Sequence, residues 1–332
     1  MLGLCLRQKG VQTTIHEASE YPRHRVCGEF ISGKGVTLLK QLGLFDSFVK
    51  VGATMATTVR FFGNQSLSSV FQLPEPALCV SRFQMDHLMS QHFQKRGGVL
   101  NTGHRMSDPL TGRAGFVAAV GRQPQMDRHS SWIGYKFHLE HLQLPTDLEM
   151  HFNGQGYLGM CEIEGGRVNV CGLYKSKPGS EFCLKNDWRR FLFSNAHPLT
   201  HDLLDKARLV EDSMCFVAGL TYNQYRPPRK PSIASIGDYM ATIPPLTGNG
   251  MSMAMESAWL ATEAISRYAD HQLNWEDTID SIGQTQLKYF RKRLTVAVSL
   301  QKLIMSDRFI RLREYLIRYL PYFHKSLFKL TR

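Results

Sequence analysis

The sequence predicts an α/β chain with three parts: a parallel α/β body, an inserted antiparallel sheet and a helical, basic C-terminus. Three observations carry this reading. Met1 to Lys9 has the pattern of a helix, Gly10 that of its C-terminal stop, and Val11 to Glu17 that of a strand closed by a carboxylate; together they form the second half of a strand–helix–strand unit. Between Ser131 and Tyr174, β-rich runs alternate with Gly-rich turns, as in an antiparallel sheet. Beyond Asn274 the chain is helical in pattern and strongly basic.

The remaining elements follow in order. Tyr21 to Phe30 is a polar loop, and Gly35 to Leu44 places Val36, Leu39 and Leu42 close to helical spacing. Val59 to Phe71 reads as extended, and the segment from Ser81 reads as a helix stopped by Gly97-Gly98. The β-rich runs are Trp132–Leu139, Leu148–Phe152, Gly156–Glu162 and Arg167–Leu173. Glu181 to Arg208 reads as helical, Ser232 to Asp238 as a buried strand running into a Gly-Asp turn, and Gly250 to Tyr268 as a helix rich in Ala and Met.

Composition narrows the class. At 43% hydrophobic and 20% charged residues, the 332-residue chain has the make-up of a globular protein of one large or two ordinary domains. No apolar run approaches the roughly 18 residues needed to span a bilayer, and the start is too short and too soon charged for a signal peptide, so a cytoplasmic protein is expected. The seven cysteines are odd in number and include no C-x-x-C, which argues against a disulfide framework or a structural zinc site. No metal constellation stands out among the 13 His. The net charge of +12 raises nucleic-acid or anionic-membrane binding, but +10 of it lies between Ser281 and Arg332. No nucleic-acid motif accompanies that charge, so a nucleic-acid partner is not expected.

In dinucleotide-binding units a G-x-G-x-x-G turn precedes such a helix, and the strand after it ends in an acid that binds a ribose hydroxyl. If Gly10 and Glu17 play those parts, the spacing puts the three phosphate-binding glycines before Met1. The chain is therefore expected to begin inside the first helix, without its first strand and glycine loop. Three further segments then fall in one order: Pro22-Arg-His-Arg-Val-Cys-Gly-Glu29, the helix opening Ser81-Arg82, and Gly237-Asp238 followed by Pro244-Pro-Leu-Thr-Gly-Asn-Gly250. Together with the Glu17 strand they resemble, over about Met1 to Tyr268, the flavin-dependent oxidoreductases that include geranylgeranyl reductases, flavin-dependent halogenases and aromatic hydroxylases.

The resemblance implies an FAD-binding Rossmann-like domain of the glutathione-reductase type at residues 1–58, 75–130 and 230–270. It further implies a substrate-binding β-sheet domain at 59–74 and 131–229, with a basic helical segment at 274–332. FAD is the implied cofactor, NAD(P)H a candidate reductant, and Glu17, Arg23, Arg82, Gly237, Asp238, Pro245, Gly248, Asn249 and Gly250 the implied cofactor-binding residues. Asp238 at a strand end can accept from a sugar-alcohol hydroxyl, and glycines at a helix start let backbone N–H groups approach a ligand oxygen. Cys27 is the implied catalytic residue, near the flavin in reductase-like members; a buried, inert cysteine explains it equally well.

Departures limit what carries over. Relatives have an Asp-Gly or His-Gly where this chain has Val120-Gly121, and small residues where it has Tyr239-Met240. The halogenase motif G-W-x-W-x-I is absent, so halogenation is not expected. The implied activity is oxidoreduction of an apolar substrate, isoprenoid-like or aromatic, by alkene reduction or by monooxygenation through a flavin hydroperoxide. Tyr157, Met160, Phe216 and Tyr222 are candidate pocket residues. The contrasting reading is a truncated or degenerate fold kept as a binding protein. Ile304 to Arg332 interleaves apolar and basic residues; as a helix it could lie on an anionic membrane or pack on the body with its charges solvated.

Overall fold

The computed structural model describes residues 1–106, 113–122, 132–175, 187–220 and 233–319. Helix α1 (Leu2–Gln8) is followed by Gly10 at φ 79° and strand β1 (Thr14–His16), as the sequence predicts. A positive φ at that position favours glycine. Next come β2 (Phe30–Ile31), α2 (Lys34–Gln41), α3 (Phe45–Lys50), β3 (Thr54–Phe62), β4 (Phe71–Cys79), α4 (Arg82–Lys95), β5 (Val99–Asn101) and β6 (Val117–Ala118). The middle of the chain supplies β7 (Trp132–Glu140), β8 (Leu148–Asn153), β9 (Gly156–Ile163), β10 (Arg167–Lys175), α5 (Trp188–Asn195), α6 (His201–Asp205) and β11 (Arg208–Ala218). It closes with β12 (Ala234–Ser235), α7 (Gly250–Ala269), α8 (Trp275–Ile304) and a helical stretch at 310–319.

Two short parallel pairs, β1 with β5 and β12 with β6, form the α/β body, and no described strand joins one pair to the other. Helices α1, α2 and α7 cover these pairs, with Leu6, Ala258, Ala261 and Ile265 in one buried cluster and Leu4, Leu39 and Met255 in another. The large sheet has the order β11-β7-β10-β9-β8-β3-β4-β2. It is antiparallel except between β3 and β8, which run parallel with Val59 opposite Leu148. The runs from Ser131 to Tyr174 pair antiparallel, as the sequence predicts; the expectation of an antiparallel domain is corrected where β3 joins them in parallel. The residues between β3 and β8 include β4, α4 and three further strands, so no tight hairpin forces them antiparallel.

Three other expectations are corrected. Val59 to Phe71 is not one extended run: β3 begins at Thr54, and β4 continues to Cys79. The helical reading of Glu181 to Arg208 resolves, where described, into α5 and α6 split at His197-Pro198, because proline lacks the donor an uninterrupted helix needs. Arg208 then opens β11. Of the expected strand Ser232 to Asp238, only Ala234–Ser235 pairs as strand among the described residues; Gly237 and Asp238 already form a helical turn.

Helix α4 starts where Ser81 caps it, its Oγ accepting from Gln84 N at 3.1 Å, and Glu164 accepts in turn from Ser81 N at 2.8 Å. Helix α8 is fixed to α7 by the buried Arg293–Glu256 pair, bidentate at 2.9 and 3.2 Å. The stretch 310–319 folds back over the sheet. Glu314 there accepts from Asn64 N, Gln65 N and Ser66 Oγ at 3.0, 3.1 and 2.6 Å, while buried Arg313 donates to the carbonyl of Asn153 at 3.2 Å.

Candidate active site and its cavity

A cavity of about 1190 Å³ lies between the α/β body, the sheet and the C-terminal helices. Its volume exceeds the range of about 300–1,000 Å³ common for small-molecule sites, and its walls are mostly apolar. Phe61 and Phe152 line it with their rings stacked at 6.0 Å, Leu300 and Ile304 come from α8, and Leu316 and Ile317 close it from the 310–319 stretch.

The polar wall is built from strand ends. Strands β6 and β12 run side by side in parallel, so the residues after each arrive together: Val120, Gly121 and Arg122 after β6, and Asp238 after β12. Beyond the carboxyl ends of parallel strands is where open α/β folds bind ligands. Gly237 holds φ 60° and donates its N–H to Ser257 Oγ at 2.9 Å, which fixes the turn that presents Asp238. Loss of solvent pushes the Asp238 carboxyl up to about 6, against the pull of Arg82 and Arg122. Gly248, left-handed at φ 60°, leads through buried Asn249 into α7, and Gly250 and Met251 of its first turn line the cavity. The open N–H groups of such a turn suit an anionic or carbonyl oxygen.

Of the residues singled out from the sequence, Cys27, Arg82, Asp238, Pro245, Gly248 and Gly250 line this one cavity, as do Tyr157, Met160 and Phe216. Gly237 and Asn249 stand behind it as supports. Glu17 and Arg23 lie outside it and pair with each other at 2.9 Å, Glu17 also accepting from Ser19 N at 3.0 Å. Tyr222 lies outside the described residues. Val120 is exposed on the cavity rim and offers no polar contact. Cys27 Sγ meets Glu29 N at 3.4 Å; burial pushes its thiol up, against the opposing charge of Arg82, so at neutral pH it is a thiol. The Arg82 guanidinium is forked onto Asp86 at 2.9 and 2.6 Å.

Sequence reasoning missed a buried polar cluster beside this wall. Glu29 accepts from His138 Nε2 at 2.7 Å and from Arg82 N at 2.9 Å, and lies 3.2 Å from Lys136 Nζ. Burial pushes the Glu29 carboxyl up, but the His138 hydrogen bond and the Lys136 charge outweigh it and hold it below the ordinary range. Lys136 in turn reaches His24 Nδ1 at 2.9 Å, and His24 lines the cavity. The available signal was a Lys and a His two apart in a strand, with Glu in the P-R-x-x-x-C-G-E loop; alternation alone assigns that strand face to solvent.

No family model and no curated protein matches the chain. Solved structures do. The flavin-dependent brominase Bmp2 superposes with a TM-score of 0.78 at 16% identity, over 99% of this chain and 89% of its own. The myxobacterial chondrochloren halogenase CndH gives 0.75 at 15%, over 100% and 88%. PqsL, a probable FAD-dependent monooxygenase from Pseudomonas aeruginosa, gives 0.71 at 14%, over 95% of each chain. The fold is that of flavin-dependent monooxygenases and halogenases. It is a mixed α/β fold with a multi-strand sheet and a helical C-terminus, as the sequence predicts.

Proposed function

We propose that this chain is an FAD-dependent oxidoreductase acting on an apolar, isoprenoid-like or aromatic substrate, with NAD(P)H as reductant. The observation that supports it most is the meeting of two parallel strand ends, a glycine-led helix start and a large apolar chamber in one cavity. Asp238, Gly248, Gly250 and Arg82 would hold the ring-and-ribityl half of the cofactor, and their open helix turn and strand-end carboxylate fit those groups. Glu17 and Arg23, outside the cavity, would serve the ribose of the other half. A bound flavin supplies the redox chemistry; this chain contributes binding, orientation and exclusion of water. The FAD-dependent enzymes among the structural neighbours favour oxygen insertion over alkene reduction, whereas the Cys27 thiol on the wall favours reduction.

Anaerobic photoreduction of the FAD-loaded protein, then exposure to air, separates the two. A long-lived oxygenated flavin spectrum supports oxygen insertion; immediate reoxidation supports reduction. Protein that takes up no flavin at all leaves the binding-protein reading.

We propose further that the C-terminal helix brings the cavity to an anionic membrane surface. No described helix is long and apolar enough to cross a bilayer. On the stretch 310–319, Arg313, Leu316 and Ile317 face the body, whereas Leu312, Tyr315 and Tyr319 are exposed beside exposed Arg311 and Arg318. An apolar stripe flanked by arginines is the pattern of an interfacial helix.

A further inference from the structure

The cluster around Glu29 ends at the cavity. Lys136 and Glu29 are wholly buried, 3.2 Å apart, and Lys136 Nζ lies 2.9 Å from His24 Nδ1. An ammonium only donates. His24 Nδ1 must therefore accept, which makes the ring neutral with its proton on Nε2. The ring is held in place by stacking on Phe83 at 4.8 Å and by an edge contact with His138 at 5.2 Å. Nε2 has no partner among the described residues, and His24 is a wall residue of the cavity.

We propose that His24 is the proton donor of this cavity, giving its Nε2 proton to an oxyanion formed on the bound ligand while the Lys136 ammonium protonates Nδ1. The Nε2–H bond breaks as the ligand O–H bond forms, and one Nζ–H bond breaks as Nδ1–H forms. The imidazole stays neutral throughout. The positive charge lost at Lys136 matches the negative charge lost at the oxyanion; because Lys136 is buried behind the ring, the reset runs through it, a solvent hydronium protonating Nε2 as the Nδ1 proton returns to Nζ. His24 is the catalytic residue; Lys136 and Glu29 position it, and Lys136 resupplies its proton from behind. The groups facing His24 agree with this. Burial, then the charges of Lys136, His138 and Arg167, push its pKa down to about 4, with Glu29 opposing. The proposal rests on the flavin reading only in taking this cavity as the place of reaction.

The test uses the full chain with 4-nitrophenol, a phenol whose ionisation is visible by absorbance. Bound to the wild type, it should ionise at least tenfold more readily than in water. H24F should abolish that shift, and the double variant E29Q/K136M, which removes both buried charges, should shrink it. In parallel, ¹⁵N NMR should show His24 protonated at Nε2 and neutral from about pH 5 to about pH 8, with this fixed tautomer lost in the double variant. A shift that survives H24F, or a proton resting on Nδ1 in the wild type, overturns the proposal. Neither readout needs flavin, so protein that fails to bind FAD would sink the proposed function and leave this result standing.

Discussion

Glu29 sits at φ 54° in a buried loop, a conformation that a non-glycine residue keeps only when its surroundings demand it. Here they do, because its carboxylate answers Lys136, His138 and the N–H of Arg82. E29Q leaves a buried ammonium without its counter-charge, so urea unfolding should show a loss of about 3–5 kcal/mol, with E29Q/K136M less affected than E29Q. Two titrating residues set opposite pH trends. Asp238, raised to about 6, contributes stability that is present below the ordinary carboxylate range and lost as pH rises through about 6. His24, lowered to about 4, contributes stability that is present above about 6.5 and lost as pH falls through about 4. In unfolding measured across this window, D238N should flatten the first trend and H24Q the second. The Asp238 and Gly248 positions were legible because local motifs carry them. Glu29 was not: it lies in a recognised loop, but its partner His138 is 109 residues away on a strand whose alternation looks solvent-facing.

At the scale of elements, capping and glycine chemistry read cleanly. Ser81 opens α4 and Asn274 opens α8, its Oδ1 accepting from Asp277 N at 2.8 Å. Where the reading failed, distant structure decided the outcome. The parallel β3–β8 contact depends on the path of the intervening chain, and β11 carries a register shift between Val210 and Cys215 that blurs its period. Two predictions belong here. R293M leaves Glu256 buried and uncompensated between α7 and α8, so thermal unfolding should show a loss of about 3–5 kcal/mol. G248A places a side chain at a left-handed position and should cost about 1–2 kcal/mol in the same assay, with FAD uptake reduced by far more than that stability loss explains.

For the whole molecule, the charge count takes its meaning from position. The basic end builds α8, closes the cavity and leaves one mixed apolar and basic face outward, so removing the segment from Asn274 onward would strip α7 of its buried partner rather than test a membrane role. The variant R311E/L312E/Y315E alters only exposed positions. It should lose sedimentation with anionic vesicles while keeping its unfolding midpoint, and wild-type binding should weaken as salt rises. The overall α/β division was readable because glycine stops, strand runs and helix starts are local signals; the cavity was not, because β3, β11 and the C-terminal helix meet there only in three dimensions. The account depends most on flavin binding in that cavity. The purified 332-residue chain, incubated with FAD and passed through gel filtration, should retain flavin absorbance near one equivalent in the wild type and lose it in D238A/G248A. Flavin that elutes free from the wild type would contradict it.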